Sequence, residues 1–165
     1  MTSERPKIYI ETTLFNFYFD EKMGEDHKAT LRLFEMIAEG RYIPYTSSYA
    51  IEELENAPPE KRNKMTELIK QYDITVIYSN DVIEKMADIY ISEGMISEKK
   101  RTDSLHMAAA AVNGLDMIIT MNLRDICKLK TKQMIGRINK QQGYRNVAIC
   151  SPREVVENER YQHRR

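Results

Sequence analysis

Short apolar runs alternate with helical segments along nearly the whole chain, and this alternation limits the possible folds most strongly. Five runs are typical of strands: "KIYIE", "YIPYT", "ITVIY", "DMIIT" and "VAIC". Helical spacing is found between them, at residues 27–38, 47–54, 60–72, 81–92, 101–114 and 131–142. "DMIIT" is apolar throughout, as in a parallel strand covered on both faces, whereas Pro44 favours a short or edge strand for "YIPYT". The pattern predicts an α/β fold, a three-layer α/β/α sandwich around a mainly parallel central sheet.

The length of 165 residues favours one domain, which we place at residues 1–157, followed by a charged C-terminal tail at 158–165. No apolar run approaches the roughly 18 residues of a membrane span, and "MTSERPK" has no apolar segment of a secretory signal. Cys127 and Cys150 lack metal-ligand spacing, so we expect reduced thiols. These features predict a cytoplasmic protein without a membrane partner.

Basic residues are concentrated in the last quarter of the chain, although the formal net charge is zero. Residues 126–165 carry 10 basic and 3 acidic side chains, and no acid occurs between Ile126 and Arg153. Such asymmetry favours an electropositive surface that holds phosphates. A solvated basic helix face would give the same pattern, and the sequence leaves both interpretations open.

Several acids and one amide lie after predicted strands or on predicted helices. The acids are Glu11, Glu52, Glu53, Asp103 and Asp125, and the amide is Asn122. The carboxyl ends of parallel strands meet at one edge of the sheet, where sites of such folds lie. Acids gathered there repel one another unless a cation or shared protons intervene. Carboxylate and amide oxygens are the ligands of Mg²⁺ and Mn²⁺, so a metal site is one interpretation and helix capping is the other.

Four segments, in order along the chain, resemble the PIN-domain family, which includes the VapC-type toxins of toxin–antitoxin pairs. They are "KIYIETTLFNFYF", "SSYAIEELENAP", "RTDSLHMAAAAVNGLDMIITMN" and "YRNVAICSPREVV", and the resemblance covers about residues 7–157. It implies a PIN-like sandwich and an endoribonuclease that hydrolyses RNA phosphodiesters with a water activated by Mg²⁺ or Mn²⁺. It also implies an antitoxin partner and a homodimer.

The resemblance assigns four site positions. Glu11, before two threonines, matches the family's first acid, with Glu in place of the usual Asp. Glu53, six residues after Ser47, matches the second, with Glu52 as the alternative. Asp103 matches the third, and Asn122 the fourth, where Asp is frequent. Glu11, Glu53 and Asp103 are thereby implied as metal ligands and Asn122 as the fourth catalytic position. With three acids instead of four, we expect weaker metal binding.

Neighbouring polar residues have more than one interpretation. Thr12, Thr13, Ser47 and His106 are candidates for orienting the acids through hydrogen bonds, as groups around metal ligands do. Turn formation, helix capping and a structural buried histidine are the alternatives. Candidates for holding RNA phosphates are Arg101, Lys128, Lys130, Lys132 and Arg137.

Two other functions are compatible with parts of the pattern. A catalytically degenerate PIN-like module would bind RNA or a protein without cleaving RNA, and the replacements at Glu11 and Asn122 favour it. A receiver-type regulatory domain would need an Asp at the end of a central strand and a Lys at the end of another. "ITVIYSN" and "VAICSPRE" provide neither, so this class ranks behind the other two.

Overall fold

A computed structural model describes the backbone of residues 5–163 and the side chains of residues 5–159. The strands are β1 Lys7–Ile10, β2 Ile43–Ser47, β3 Thr75–Ile77, β4 Met117–Ile119 and β5 Ala148–Cys150. The helices are α1 Thr12–Phe19, α2 Glu25–Ala38, α3 Ser48–Glu53, α4 Pro59–Gln71, α5 Asp81–Ser92, α6 Arg101–Val112, α7 Leu129–Gln141 and α8 Pro152–His163. Short 3₁₀ turns lie at Glu21–Met23 and Glu98–Lys100. In the described part of the chain, none of these helices has the length and apolar character to cross a bilayer.

The five strands form one sheet in the order β3-β2-β1-β4-β5, and every neighbouring pair is parallel. Tyr9 in the central strand β1 pairs with Tyr45 on one side and Ile118 on the other. All five carboxyl ends therefore lie at one edge, which we call the carboxyl edge. The prediction of a parallel α/β fold is confirmed.

Alternate strand residues enter two separate cores. Ile8, Ile10 and Ile119 pack with α1, α2, α4 and α8 on one face of the sheet. Tyr9 and Ile118 pack with α5, α6 and α7 on the other face. Since successive side chains of a strand point to opposite faces, the two cores show that helices cover both sides. The three-layer arrangement follows.

Two helices, α1 and α8, are absent from the sequence prediction. The segment of α1, "TTLFNFYF", is rich in residues that favour strands. It forms a helix because Leu14 and Phe15 are buried against the sheet and the Glu11 carboxylate caps its first turn. The predicted charged tail begins at residue 158, and α8 includes residues 158–163. The last two residues of that tail lie outside the described residues.

Pro44 does not mark an edge strand, because β2 lies between β1 and β3. The N–H of Ile43 donates to the Pro6 carbonyl on the β1 side, so the ring nitrogen of Pro44 faces β3. Pairing of β2 with β3 begins only at Tyr45 and Thr75. No ladder hydrogen bond is lost, and the proline is tolerated inside the sheet.

Candidate active site

The carboxyl edge brings together Glu11, Glu53 and His106. One carboxylate oxygen of each glutamate and one imidazole nitrogen lie within 4.8 Å of one another. Glu11 directly follows β1, Glu53 ends α3 after β2, and His106 lies in the second turn of α6. Glu11 and His106 are buried, whereas the side chain of Glu53 remains 35% exposed. The cluster therefore has one side open to solvent.

The carboxylate of Glu11 is held by the ends of two strands. Its Oε1 accepts hydrogen bonds from the hydroxyls of Thr13 at 2.5 Å and Thr120 at 2.6 Å, and from the Thr13 N–H at 3.3 Å. The Thr13 hydroxyl also accepts from the Met121 N–H, and the Glu11 N–H donates to the Ile119 carbonyl. All three bonds to the carboxylate fall on Oε1, so Glu11 has a fixed orientation.

The sequence interpretation missed Tyr9, whose hydroxyl contacts Ser47 and His106, and it also missed Thr120. Thr120 follows β4, which lies beside β1 in the sheet, and its hydroxyl contacts a carboxylate 109 residues earlier in the chain. The only local signal is the threonine at the end of "MIIT". That signal becomes informative once the pairing of β1 with β4 is known.

A buried chain of hydrogen bonds supports Glu53. The Ser47 hydroxyl lies 2.6 Å from the Tyr9 hydroxyl, which lies 2.5 Å from Nδ1 of His106. The other ring nitrogen of His106, Nε2, bonds to Oε1 of Glu53. The Thr12 hydroxyl donates to the same oxygen at 2.8 Å. Both nitrogens of His106 are thus engaged, and we call the chain Ser47–Tyr9–His106–Glu53 the buried relay.

The charges in the relay favour an imidazolium paired with a carboxylate. Burial alone would lower the pKa of His106, but the hydrogen bond to Glu53 and the charges of Glu11, Glu53 and Asp103 together outweigh it and raise the pKa. Burial alone would raise the pKa of Glu53, but the hydrogen bond and charge of His106, together with the hydrogen bond from Thr12, outweigh it and lower the pKa. Burial raises the pKa of Tyr9, which stays a neutral phenol. The relay therefore positions Glu53 rather than offering a lone pair of His106 to a metal.

Asp103 lies one helical turn before His106, on the first turn of α6. Burial raises the pKa of Asp103 to about 6; His106 opposes this shift, and the charges of Glu11, Asp125 and Glu53 add to it. In the described part of the protein, no hydrogen bond is found on its carboxylate. Asp103 is thus a partly buried carboxylate among like charges, and a cation would relieve this repulsion.

Helix capping accounts for neither Asp103 nor Asn122, whose side chain closes a turn. The residue that caps α6 is Lys100, without a side-chain bond to the helix. Oδ1 of Asn122 accepts from the Asp125 N–H at 3.1 Å, and the Asp125 carboxylate pairs with Lys100 at 3.5 Å. Glu52, the alternative to Glu53, is exposed on α3. The structure brings Glu53 into the cluster.

The five basic candidates differ in their surroundings. Arg101 pairs with Asp88, and Lys132 pairs with Glu154 at 3.6 Å. Lys128, Lys130 and Arg137 are exposed. The charges of Arg101 and Lys132 are thus partly neutralised by neighbouring acids. The other three basic side chains are available to an anion.

The donors at the carboxyl edge fit a hard divalent cation. Glu11 and Glu53 offer carboxylate oxygens within the cluster, and Asp103 adds a third carboxylate one helical turn from His106. The repulsion that Asp103 experiences from Glu11, Asp125 and Glu53 is the observation that favours a cation there. Oε1 of Glu11 already accepts three bonds, so Oε2 is the oxygen that would face a metal.

The fold and this edge define an α/β protein of PIN-like architecture. Comparison with protein-family models gives no match. Comparison with curated proteins also gives no match. Among solved structures, the chain is similar to one in the crystal structure of VapBC2 from Rickettsia felis bound to a DNA fragment from their promoter. The TM-score is 0.54 at 12% identity, over 88% of this chain and 98% of that chain. The likeness confirms the predicted PIN-like fold class.

Proposed function

We propose that this protein is a metal-dependent endoribonuclease, the toxin of a toxin–antitoxin pair that acts in the cytoplasm. The observation that carries the proposal is the convergence of Glu11, Glu53 and His106 at the carboxyl edge, one helical turn from Asp103, whose ionised form is disfavoured by burial and by the charges of Glu11, Asp125 and Glu53. Fixed carboxylates that repel one another are suited to binding Mg²⁺ or Mn²⁺. The shared fold with a chain of VapBC2 supports the same class.

The chain's own residues would prepare the site for the cation. Thr13 and Thr120 hold Glu11, and the buried relay holds Glu53, so neither carboxylate has to reorganise on binding. Asn122 provides the fourth position, since its amide oxygen has a second lone pair beyond the one used by Asp125. When bound, the cation supplies an activated water and offsets the charge that develops on the phosphodiester.

We further propose RNA as substrate, an antitoxin as protein partner and a homodimer as the assembly. The neighbour's structure contains VapBC2 on a fragment of promoter DNA. The resemblance at the sequence level supports the antitoxin and the homodimer. Size-exclusion chromatography with light scattering tests the assembly, and a monomeric mass at micromolar concentration would contradict the homodimer.

A second candidate is a degenerate PIN-like module that binds RNA or a protein without cleavage. Two observations favour it. Nε2 of His106 bonds to Glu53, and Asn122 uses its amide oxygen within its own turn. Such a module would bind RNA equally well with and without a divalent cation.

Mn²⁺ binding, measured by calorimetry, separates the two candidates. We expect the unaltered chain to bind Mn²⁺, and Glu11→Gln and Asp103→Asn each to lose that binding while the circular dichroism spectrum is unchanged. Glu67→Gln, which removes an exposed acid on α4, is the matched control and keeps full binding. RNA should be cleaved by the unaltered chain and by Glu67→Gln, and not by Glu11→Gln or Asp103→Asn. Mn²⁺ binding that survives in both site variants would contradict the proposed metal site, and failure of the unaltered chain to bind would favour the degenerate module.

A further inference from the structure

A cleft of about 430 Å³ lies beside the candidate active site and is not part of it. One wall is formed by the end of α5 and the segment that leads to α6, including Met95, Ile96 and Glu98. The other wall is formed by Asp125, Lys128 and Lys130. Met95 and Ile96 therefore lie on one side of the cleft, and two lysines lie on the other.

The two walls meet next to the acids. Lys100 and Asp125 line opposite sides of the cleft and form an ion pair at 3.5 Å. Lys100 is three residues before Asp103, and the charge of Asp125 is among those that raise the pKa of Asp103. A polymer lying in the cleft would therefore come close to Asp103 at the end of the cleft where Lys100 and Asp125 lie.

The basic wall presents charges that the protein leaves available. Lys128 and Lys130 are exposed at the start of α7, and no ion pair is found for either among the described residues. Across the cleft from these ammonium groups lie the apolar side chains of Met95 and Ile96. Ammonium groups facing an apolar wall match a single RNA strand, which presents phosphates and bases.

From this arrangement we infer that the cleft binds single-stranded RNA on one side of the scission point, with backbone phosphates against Lys128 and Lys130. The inference rests on the proposed ribonuclease function and names the path of its substrate. RNA binding is thereby assigned to these two lysines and not to Arg101 and Lys132, whose charges are paired with acids. It is not assigned to Arg137 either, which lies seven residues beyond Lys130, or about 10 Å further along α7.

Removing the charge of Glu98 should strengthen RNA binding, whereas removing the two lysines should weaken it. Glu98 is an exposed acid in the other wall of the cleft, and its charge would repel an RNA strand held there. Replacing it by Gln keeps its size and removes the repulsion. We expect Glu98→Gln to bind RNA more tightly, which general loss of stability would not produce.

The experiment measures fluorescence anisotropy of a labelled oligouridylate of about 12 nucleotides, the length of chain that single-strand sites cover. The protein is used without divalent cation, so that no cleavage occurs. Variants are Lys128→Ala/Lys130→Ala, Glu98→Gln and, as matched control, Lys70→Ala, which removes an exposed cation on α4 at the other face of the sheet. Losing two phosphate contacts lowers the slope of log affinity against log salt by about 1.4 and weakens binding on the order of tenfold near 0.15 M salt.

The outcomes are distinguishable. A weaker, less salt-dependent double variant, a tighter Glu98→Gln and an unchanged Lys70→Ala would support the cleft. If the double variant binds RNA as tightly as the unaltered chain does, RNA does not lie in the cleft. Its lysines would then serve to bind an acidic protein instead. Cleavage of the oligonucleotide by the unaltered chain with Mn²⁺ would then show that the proposed function stands without the cleft. If the unaltered chain neither binds nor cleaves RNA, both proposals fail.

Discussion

Removing the charge of Asp103 should stabilise the metal-free protein, although the same change abolishes the proposed metal site. Burial and the charges of Glu11, Asp125 and Glu53 raise the pKa of Asp103 from its ordinary 3.8 to about 6. The folded state therefore disfavours the ionised form that is present at neutral pH. In the described structure the carboxylate accepts no hydrogen bond that Asp103→Asn would remove.

The size of the effect follows from the shift. A difference of about two pKa units corresponds to roughly 3 kcal/mol at neutral pH, at 1.36 kcal/mol per unit. Because Asp103 is only partly buried, solvent screening reduces this to about 1–2 kcal/mol. For a chain of this size, 1 kcal/mol changes the melting temperature by about 2–4 °C, so we expect Asp103→Asn to melt about 2–8 °C higher.

The sign of the pH dependence is fixed by the direction of the shift. The folded pKa of Asp103 is raised, so its protonation in the folded state removes the penalty as the pH falls through about 6. The difference between Asp103→Asn and the unaltered chain should therefore be largest near neutral pH and should close at about pH 4. Mn²⁺ should stabilise the unaltered chain and have no such effect on the variant.

Thermal denaturation followed by circular dichroism, in EDTA, at neutral and acidic pH, checks the reasoning. Glu67→Gln controls for removal of any acid from the surface and should leave the melting temperature within about 1 °C. An Asp103→Asn variant that melts at or below the temperature of the unaltered chain at neutral pH would refute the argument. So would a gain in stability that persists undiminished in acid.

Two further predictions concern the groups behind the carboxylates. Tyr9→Phe removes the hydroxyl shared by Ser47 and His106, both buried, and should lower the free energy of unfolding by about 1–3 kcal/mol in urea denaturation; an unchanged midpoint would contradict a structural role for the relay. Thr120→Val removes one of the two hydroxyls on Oε1 of Glu11 and should weaken Mn²⁺ binding by about 10-fold or more in calorimetry, with little change in fold. Equal Mn²⁺ affinity would show that Thr13 alone orients Glu11.

The architecture could be predicted from the sequence because it depends on periodicity. Apolar runs such as "DMIIT" and helical spacing in the segments between strands identify the layers without knowledge of any contact. The same information places Glu11 and Asp103 at the carboxyl edge, since parallel strands all end there. Position along a periodic element is the part of the fold that local sequence encodes.

The details of the site depend on contacts between distant segments, and local sequence did not indicate them. The sequence resemblance favoured Glu53 over Glu52, but it gave no sign of the hydrogen bond to His106, which depends on the packing of α3. The segment of α1 has the composition of a strand, and burial of Leu14 and Phe15 decides in favour of a helix. Both outcomes required the tertiary structure.

The hydrogen bond between Thr120 and Glu11 has a consequence for the order in which the protein becomes functional during translation. The two residues are 109 positions apart, and the N–H of Glu11 also depends on the carbonyl of Ile119 in β4. When only β1, β2 and β3 have emerged from the ribosome, neither the Thr120 hydroxyl nor the Ile119 carbonyl is available to Glu11. On the proposed function, the nascent chain cannot assemble the RNA-cleaving centre until β4 has emerged and inserted beside β1, a late and long-range pairing. If the proposed function holds, the topology of the sheet would thus keep the growing polypeptide inactive toward the message from which it is being made.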